Sequence, residues 1–134
     1  MIIAIDFDGV LCEDRFPGIG GEYASAVRFA REMASEGHEL ILWTSRTEGR
    51  LDEALRWCGD RGIEFCAVND NAPSNKAQYS GEYPDPSPKV YADLYLDDRS
   101  PFFQFFAQGG RERAVGMLVS KARQFINRNG GRND

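Results

Sequence analysis

The sequence predicts an α/β protein, a three-layer Rossmann-like sandwich around a central, mostly parallel sheet. Two observations carry this. Short apolar runs of strand length alternate with longer stretches of helical periodicity, in the order strand, helix, strand, helix, strand. That order is the pattern of a doubly wound sheet. The runs are also apolar throughout rather than alternating, as strands covered on both faces must be.

Taken in order, residues 2–5 (Ile-Ile-Ala-Ile) read as the first buried strand, which stops at Asp6. Asp8 follows, then Gly9, which lets the backbone turn sharply. Residues 10–21 contain Pro17, Gly18, Gly20 and Gly21 and read as a loop or hairpin beside the acids, placed to fold over them. Residues 22–36 form a helix, with Val27, Ala30, Met33 and Ala34 at helical spacing and Gly37 at its end. Residues 40–43 are a second strand, ending in Thr44-Ser45-Arg46. Residues 48–61 are a second helix, with Leu51, Ala54, Leu55 and Cys58 on one stripe and Gly62 closing it. Residues 63–68 are a third strand.

The stretch 69–88 is rich in Asn, Ser, Pro and Gly and reads as a long irregular loop, which inside a compact domain is functional or disordered. Lys89 then precedes a fourth strand at 90–96, which ends in Asp97-Asp98-Arg99. Phe102, Phe103, Phe105 and Phe106 form an aromatic cluster that either packs on the sheet or offers a surface for pairing subunits. A last helix spans 113–128, and 129–134 is expected to be a flexible tail.

The 134 residues are enough for one domain, 1–134, with a single core. No apolar run approaches the length of a membrane span, and the N-terminus lacks the basic region and cleavage site of a signal peptide. Cys12, Cys58 and Cys66 form neither a pairable set nor a metal spacing, which fits a reducing, cytoplasmic location with each as a small buried hydrophobe. The net charge of −5 is uneven. Residues 1–110 carry 10 basic and 19 acidic side chains, and residues 111–134 carry 6 basic and 2 acidic. The acidic body argues against broad nucleic-acid binding. The basic end reads as the solvated face of the last helix.

Parallel strands present their carboxyl ends along one edge, where ligands of open α/β sheets bind. Three such ends carry polar groups: Asp6 and Asp8 after the first strand, Thr44 and Ser45 after the second, Asp97 and Asp98 after the fourth, with Lys89 just before it. Closely placed carboxylates repel, and a hard cation such as Mg²⁺ relieves this. The chemistry is coherent. One carboxylate can attack phosphorus and a second can manage the proton. A hydroxyl and a lysine can hold the equatorial oxygens of the transferred group.

These residues carry a resemblance. Ile-Ala-Ile-Asp6-Phe-Asp8-Gly9-Val10-Leu11 is similar to the first motif of the haloacid dehalogenase superfamily, most of whose members are Mg²⁺-dependent phosphohydrolases. Leu-Ile-Leu-Trp-Thr44-Ser45-Arg46 resembles its second motif, Lys89 its third, and Tyr-Leu-Asp97-Asp98 its fourth. The resemblance spans residues 2–98. It implies Asp6 as the nucleophile, Asp8 as general acid and base, Thr44 as a phosphate ligand with Ser45 and Arg46 beside it, and Lys89 as the group steadying nucleophile and phosphate. Asp6, the backbone carbonyl of Asp8, and Asp97 would hold Mg²⁺, with Asp98 in or next to that shell.

Lys89 stands only eight residues before Asp97, so Lys76 in the long loop is its rival. Val10 stands where the superfamily often has threonine. No segment is long enough for a folded cap, so the chain is similar to the capless members. The loops 10–21 or 69–88, or a second subunit in a homo-oligomer, would then cover the site. Arg15, Arg46, Lys76 and Arg99 are the basic residues within reach of a substrate's anions. The expected substrate is a phosphorylated small molecule or a macromolecular phosphoester. The competing readings are a phosphotransferase of the same superfamily, and a non-catalytic, receiver-like regulatory domain.

Overall fold

The computed structural model describes residues 1–79 and 87–130. Four strands, β1 (Ile2–Asp6), β2 (Glu39–Trp43), β3 (Ala67–Val68) and β4 (Leu94–Leu96), form one sheet in the order β3-β2-β1-β4, with every pair parallel. Five helices accompany them: α1 (Ala24–Ser35), α2 (Glu48–Asp60), α3 (Pro73–Tyr79), α4 (Pro101–Ala107) and α5 (Arg111–Asn129). The architecture is the Rossmann-like α/β sandwich expected.

The layers follow from handedness. The chain steps β1 to β2 to β3 in one direction, and right-handed crossovers put both connecting helices on the same face. It then returns past β1 to reach β4, so that crossover must lie on the other face. The strand side chains record this with period two. Ile3 and Ile5 of β1 and Leu40 and Leu42 of β2 point into a large core shared with α1, α2, α4 and α5. Ile2 and Ala4 of β1 and Ile41 of β2 point into a smaller core closed by Ala72, Val90 and Ala92 from the return crossover. The connections thus leave toward opposite faces and edges between β1 and β4, which is where such a sheet opens a crevice for ligands.

Several elements depart from the sequence reading. The stretch 69–88 was expected to be an irregular loop, yet 73–79 form α3, with Pro73 at its first turn, where a missing N–H costs nothing. Residues 80–86 lie outside the described residues. The fourth strand is cut from 90–96 to Leu94–Leu96 because side chains occupy its ladder. Asp93 Oδ2 accepts from Ile2 N at 2.7 Å, and Tyr95 hydroxyl donates to the Val90 carbonyl while accepting from Ala92 N. The third strand, expected at 63–68, is Ala67–Val68. The tail expected at 129–134 falls mostly outside the described residues, with α5 running on to Asn129.

The aromatic cluster lies on α4, whose Ser100 side chain caps the helix by accepting from Phe103 N at 3.2 Å. A helix cannot bury four consecutive-turn aromatics on one face. Phe103 packs in the core, while Phe102 and Phe105 stay exposed and stack against Phe106 at 4.6 and 5.5 Å between ring centroids. Cys12 and Cys58 are buried as expected, but Cys66 is exposed at the approach to β3. Among the described residues no helix is long and apolar enough to cross a membrane.

Candidate active site

Ile5 of β1 pairs with Leu96 of β4. The next residue of each strand, Asp6 and Asp97, therefore emerges beside the other where the two strands run out, and Asp98 follows. One carboxylate oxygen from each of these three acids lies within 4.8 Å of the others. Burial is the largest effect on Asp6, followed by its hydrogen bond with Asp98 and the charges of Asp97 and Asp98. Together they push its carboxyl well above the ordinary carboxylate range.

Asp98 is buried and held from two sides. Arg111 Nη2 donates to its Oδ2 at 2.7 Å, and Gln104 Nε2 donates to its backbone oxygen at 2.7 Å. Gly9 faces it with φ +91°, and a Cβ at that position would overlap the Asp98 carboxylate. The glycine is thus needed twice, for the turn and for the close approach. The donor set of Asp6, Asp97 and Asp98 is all oxygen and strongly anionic, which fits a hard divalent cation such as Mg²⁺.

Asp8 stands apart from that cluster. Arg46 Nε donates to its Oδ2 and Arg46 Nη2 to its Oδ1, both at 2.8 Å. The same guanidinium donates to the Pro17 carbonyl at 3.3 Å and the Gly18 carbonyl at 2.7 Å. It sits between the rings of Phe7 and Phe16, 5.1 and 5.2 Å from their centroids. The hydrogen bonds it donates to Asp8 raise its pKa further. Arg46 is only 2% exposed. Four of its five N–H groups are engaged by Asp8 and by the loop, so it positions Asp8 and anchors the loop, while it still lines the cleft in which a phosphate is expected. The Asp8 side chain pairs with Arg46, whereas the metal contact expected of Asp8 is its backbone carbonyl.

The segment 7–22 is the hairpin-like flap anticipated for 10–21. Asp8 and Cys12 make a parallel bridge, Cys12 and Glu22 an antiparallel one, and Glu13 N donates to Gly21 O at 2.8 Å. Asp14 and Phe16 from this flap wall a cleft of about 700 Å³ that also exposes Asp6, Asp8, Thr44, Ser45, Asp97, Asp98 and Arg99. Thr44 is fixed by Asn69, whose side chain accepts from Thr44 N at 2.8 Å and donates to Thr44 O at 2.7 Å. Asn69 has φ +51°, a left-handed conformation Asn tolerates. Thr44 Oγ1 accepts from Arg46 N at 3.1 Å.

The cleft brings together Asp6, Asp8, Thr44, Ser45, Arg46, Asp97 and Asp98, but not the lysines. Lys89 is exposed, with Nζ 5.9 Å from the Tyr95 ring centroid, although its neighbour Pro88 lines the cleft. Lys76 Nζ pairs with Asp70 at 2.6 Å. Three residues escaped the sequence reading: Asn69, Gln104 and Arg111. Their partners lie 25, 6 and 13 residues away, across loops whose path the sequence does not encode locally. An Asn closing a strand is the one signal that pointed to any of them.

No family model matches the chain, and no curated protein does. A solved structure, described as that of a conserved protein coded by a locus from Bacteroides thetaiotaomicron, is 44% identical to it. The match covers 75% of this chain and 78% of that one, with a TM-score of 0.64. At that identity and coverage, the chain belongs to the same family as the conserved Bacteroides thetaiotaomicron protein.

Proposed function

We propose that the protein is a Mg²⁺-dependent phosphohydrolase that works through an aspartyl-phosphate on Asp6. The observation that carries this is the convergence of Asp6, Asp97 and Asp98 at the ends of two adjacent parallel strands, within 4.8 Å of one another. The resemblance to the haloacid dehalogenase superfamily points the same way. Asp6, Asp97 and Asp98 would hold Mg²⁺, which when bound neutralises charge on the acids and on the incoming phosphoryl group.

An Asp6 oxygen attacks phosphorus, the bond to the leaving oxygen breaks, and that oxygen takes a proton from Asp8. Asp8 then takes a proton from water as the water attacks the aspartyl-phosphate, which releases inorganic phosphate and regenerates Asp6. Arg46 occupies one lone pair on each Asp8 oxygen, and the second pair on each stays available for this proton. Thr44 and Ser45 offer hydroxyls to the phosphoryl oxygens. Of the two lysines, Lys89 is the better candidate to join them, because Lys76 is tied to Asp70 and the neighbour of Lys89 already lines the cleft.

The test is phosphate release from an aryl phosphate and from a panel of biological phosphomonoesters, with Mg²⁺ or with chelator. Release that needs Mg²⁺ and disappears in Asp6→Asn is the expected result. Release that persists in Asp6→Asn, or no release from any of the panel, would overturn the reading.

A further inference from the structure

A second cavity of about 420 Å³ adjoins the cleft and shares Asp14, Asp98 and Arg99 with it. Its remaining wall includes Gln104, Arg111 and the Glu13–Arg15 pair. The two cavities meet at Asp98, one of the acids proposed to hold the metal ion, so a substrate whose phosphoryl group occupies the cleft can extend into the second cavity.

Four basic residues were within reach of a substrate's anions by sequence, and three of them are engaged. Arg15 donates to Glu13, Arg46 to Asp8 and the flap, and Lys76 to Asp70. Arg99 uses only its backbone N–H, which donates to Asp97 Oδ1 at 2.9 Å. Its guanidinium has no protein acceptor among the described residues, and it lines both cavities. Arg111 gives Nη2 to Asp98, also hydrogen-bonds with Tyr23, and stands half-exposed on the wall of the second cavity.

Two of the three carboxylates of that cavity are paired with guanidinium groups, and the third accepts from a backbone amide. Glu13 is paired with Arg15, Asp98 with Arg111, and Asp14 accepts from the Phe16 amide at 3.2 Å. The lining thus carries three carboxylates and three guanidiniums, and the Arg99 guanidinium is the one with no carboxylate partner among the described residues, a planar fork of donors that matches an oxyanion bidentately.

We propose that the second cavity binds a second oxyanion of the substrate, a phosphate or carboxylate on the leaving group, with Arg99 as its principal ligand and Arg111 as its support. The proposal rests on the phosphohydrolase reading of the neighbouring cleft. It names the substrate class as phosphomonoesters that carry a further anionic group, and Arg99 as the residue that selects them.

The test is a binding measurement, so that it stands apart from turnover. Asp6→Asn protein, with and without Arg99→Gln, is titrated calorimetrically in Mg²⁺ with propyl phosphate, propanediol bisphosphate and phosphooxypropionate. Arg99 is exposed and its side chain makes no hydrogen bond or ion pair among the described residues, so Arg99→Gln is expected to retain the fold, and a melting curve checks this. The bisphosphate is expected to bind about tenfold or more tighter than propyl phosphate, the scale of one charge-assisted bidentate pair, with that ratio collapsing in Arg99→Gln. An advantage shared by phosphooxypropionate assigns the cavity to oxyanions in general, and one confined to the bisphosphate assigns it to phosphate. Equal affinities in the Arg99 protein, or an advantage that survives Arg99→Gln, would overturn the proposal. Failure of phosphate release would sink the phosphohydrolase reading without altering this comparison.

Discussion

Arg46 holds Asp8 by both carboxylate oxygens, 2.8 Å from Nε and 2.8 Å from Nη2, across 38 residues of sequence. The pair joins the end of β2 to the turn after β1, and the Pro17 and Gly18 carbonyls tie the flap to the same guanidinium. Removing one partner of such a pair leaves the other's charge buried. Asp8→Ala is therefore expected to destabilise the protein by about 3–5 kcal/mol. Arg46→Lys supplies a point charge that cannot bridge two oxygens and two carbonyls, and should cost about 2 kcal/mol or more. Urea denaturation of the two variants checks both values.

Gly9 and Asp98 are packed against each other at the hinge between β1 and the flap. Gly9→Ala would place a methyl group in the space of the Asp98 carboxylate and force an L-residue to φ +91°. A loss of at least about 2 kcal/mol is expected from strain and displacement together. The displaced Asp98 should also weaken Mg²⁺ binding. Denaturant midpoints, measured with and without Mg²⁺, read both effects in one experiment.

Asp6, Asp97 and Asp98 oppose one another in the absence of a cation. Asp97→Asn keeps an oxygen to accept from Arg99 N and removes one of the repelling charges. The metal-free variant should be more stable than the metal-free native protein, by about 1 kcal/mol. Mg²⁺ at 100 times its dissociation constant should raise the stability of the native protein by about 2.7 kcal/mol. In Asp97→Asn that gain should shrink several-fold. Thermal melts with Mg²⁺ and with chelator give all four values.

The aromatic cluster of α4 separates a core residue from surface ones. Phe103 is buried against α5 and its ring lies 5.3 Å from the Arg111 guanidinium, whereas Phe105 is 68% exposed. Phe103→Ala should cost about 3–5 kcal/mol and Phe105→Ala no more than about 0.5 kcal/mol. Equilibrium unfolding of the two variants measures the contrast.

The fold was legible because β1 and β2 are uninterrupted apolar runs, α1, α2 and α5 have clear stripes, and glycines 37 and 62 mark two helix ends. The acids after β1 and β4 were legible for a related reason, since parallel strands bring carboxyl ends to one edge whatever their separation in sequence. What stayed hidden depends on side chains acting through space. Asp93 and Tyr95 take over backbone partners and shorten β4. Composition hid α3, because Pro73 and Ser74 mark a helix start as readily as a loop. The pairing of Arg46 with Asp8 was hidden because nothing in the tripeptide Thr44-Ser45-Arg46 shows that its third side chain turns inward. Arg111 could not be connected to Asp98 without knowing that α5 starts beside the end of β4.

The central claim is that Asp6 carries the phosphoryl group. The most direct measurement is acid quenching of the protein during Mg²⁺-dependent turnover, followed by mass mapping of its peptides. The account expects a phosphoryl group on the peptide that contains Asp6, present only with Mg²⁺ and substrate, and absent from Asp6→Asn. Turnover with no phosphorylated peptide at any quench time, or phosphorylation that survives Asp6→Asn, would contradict it.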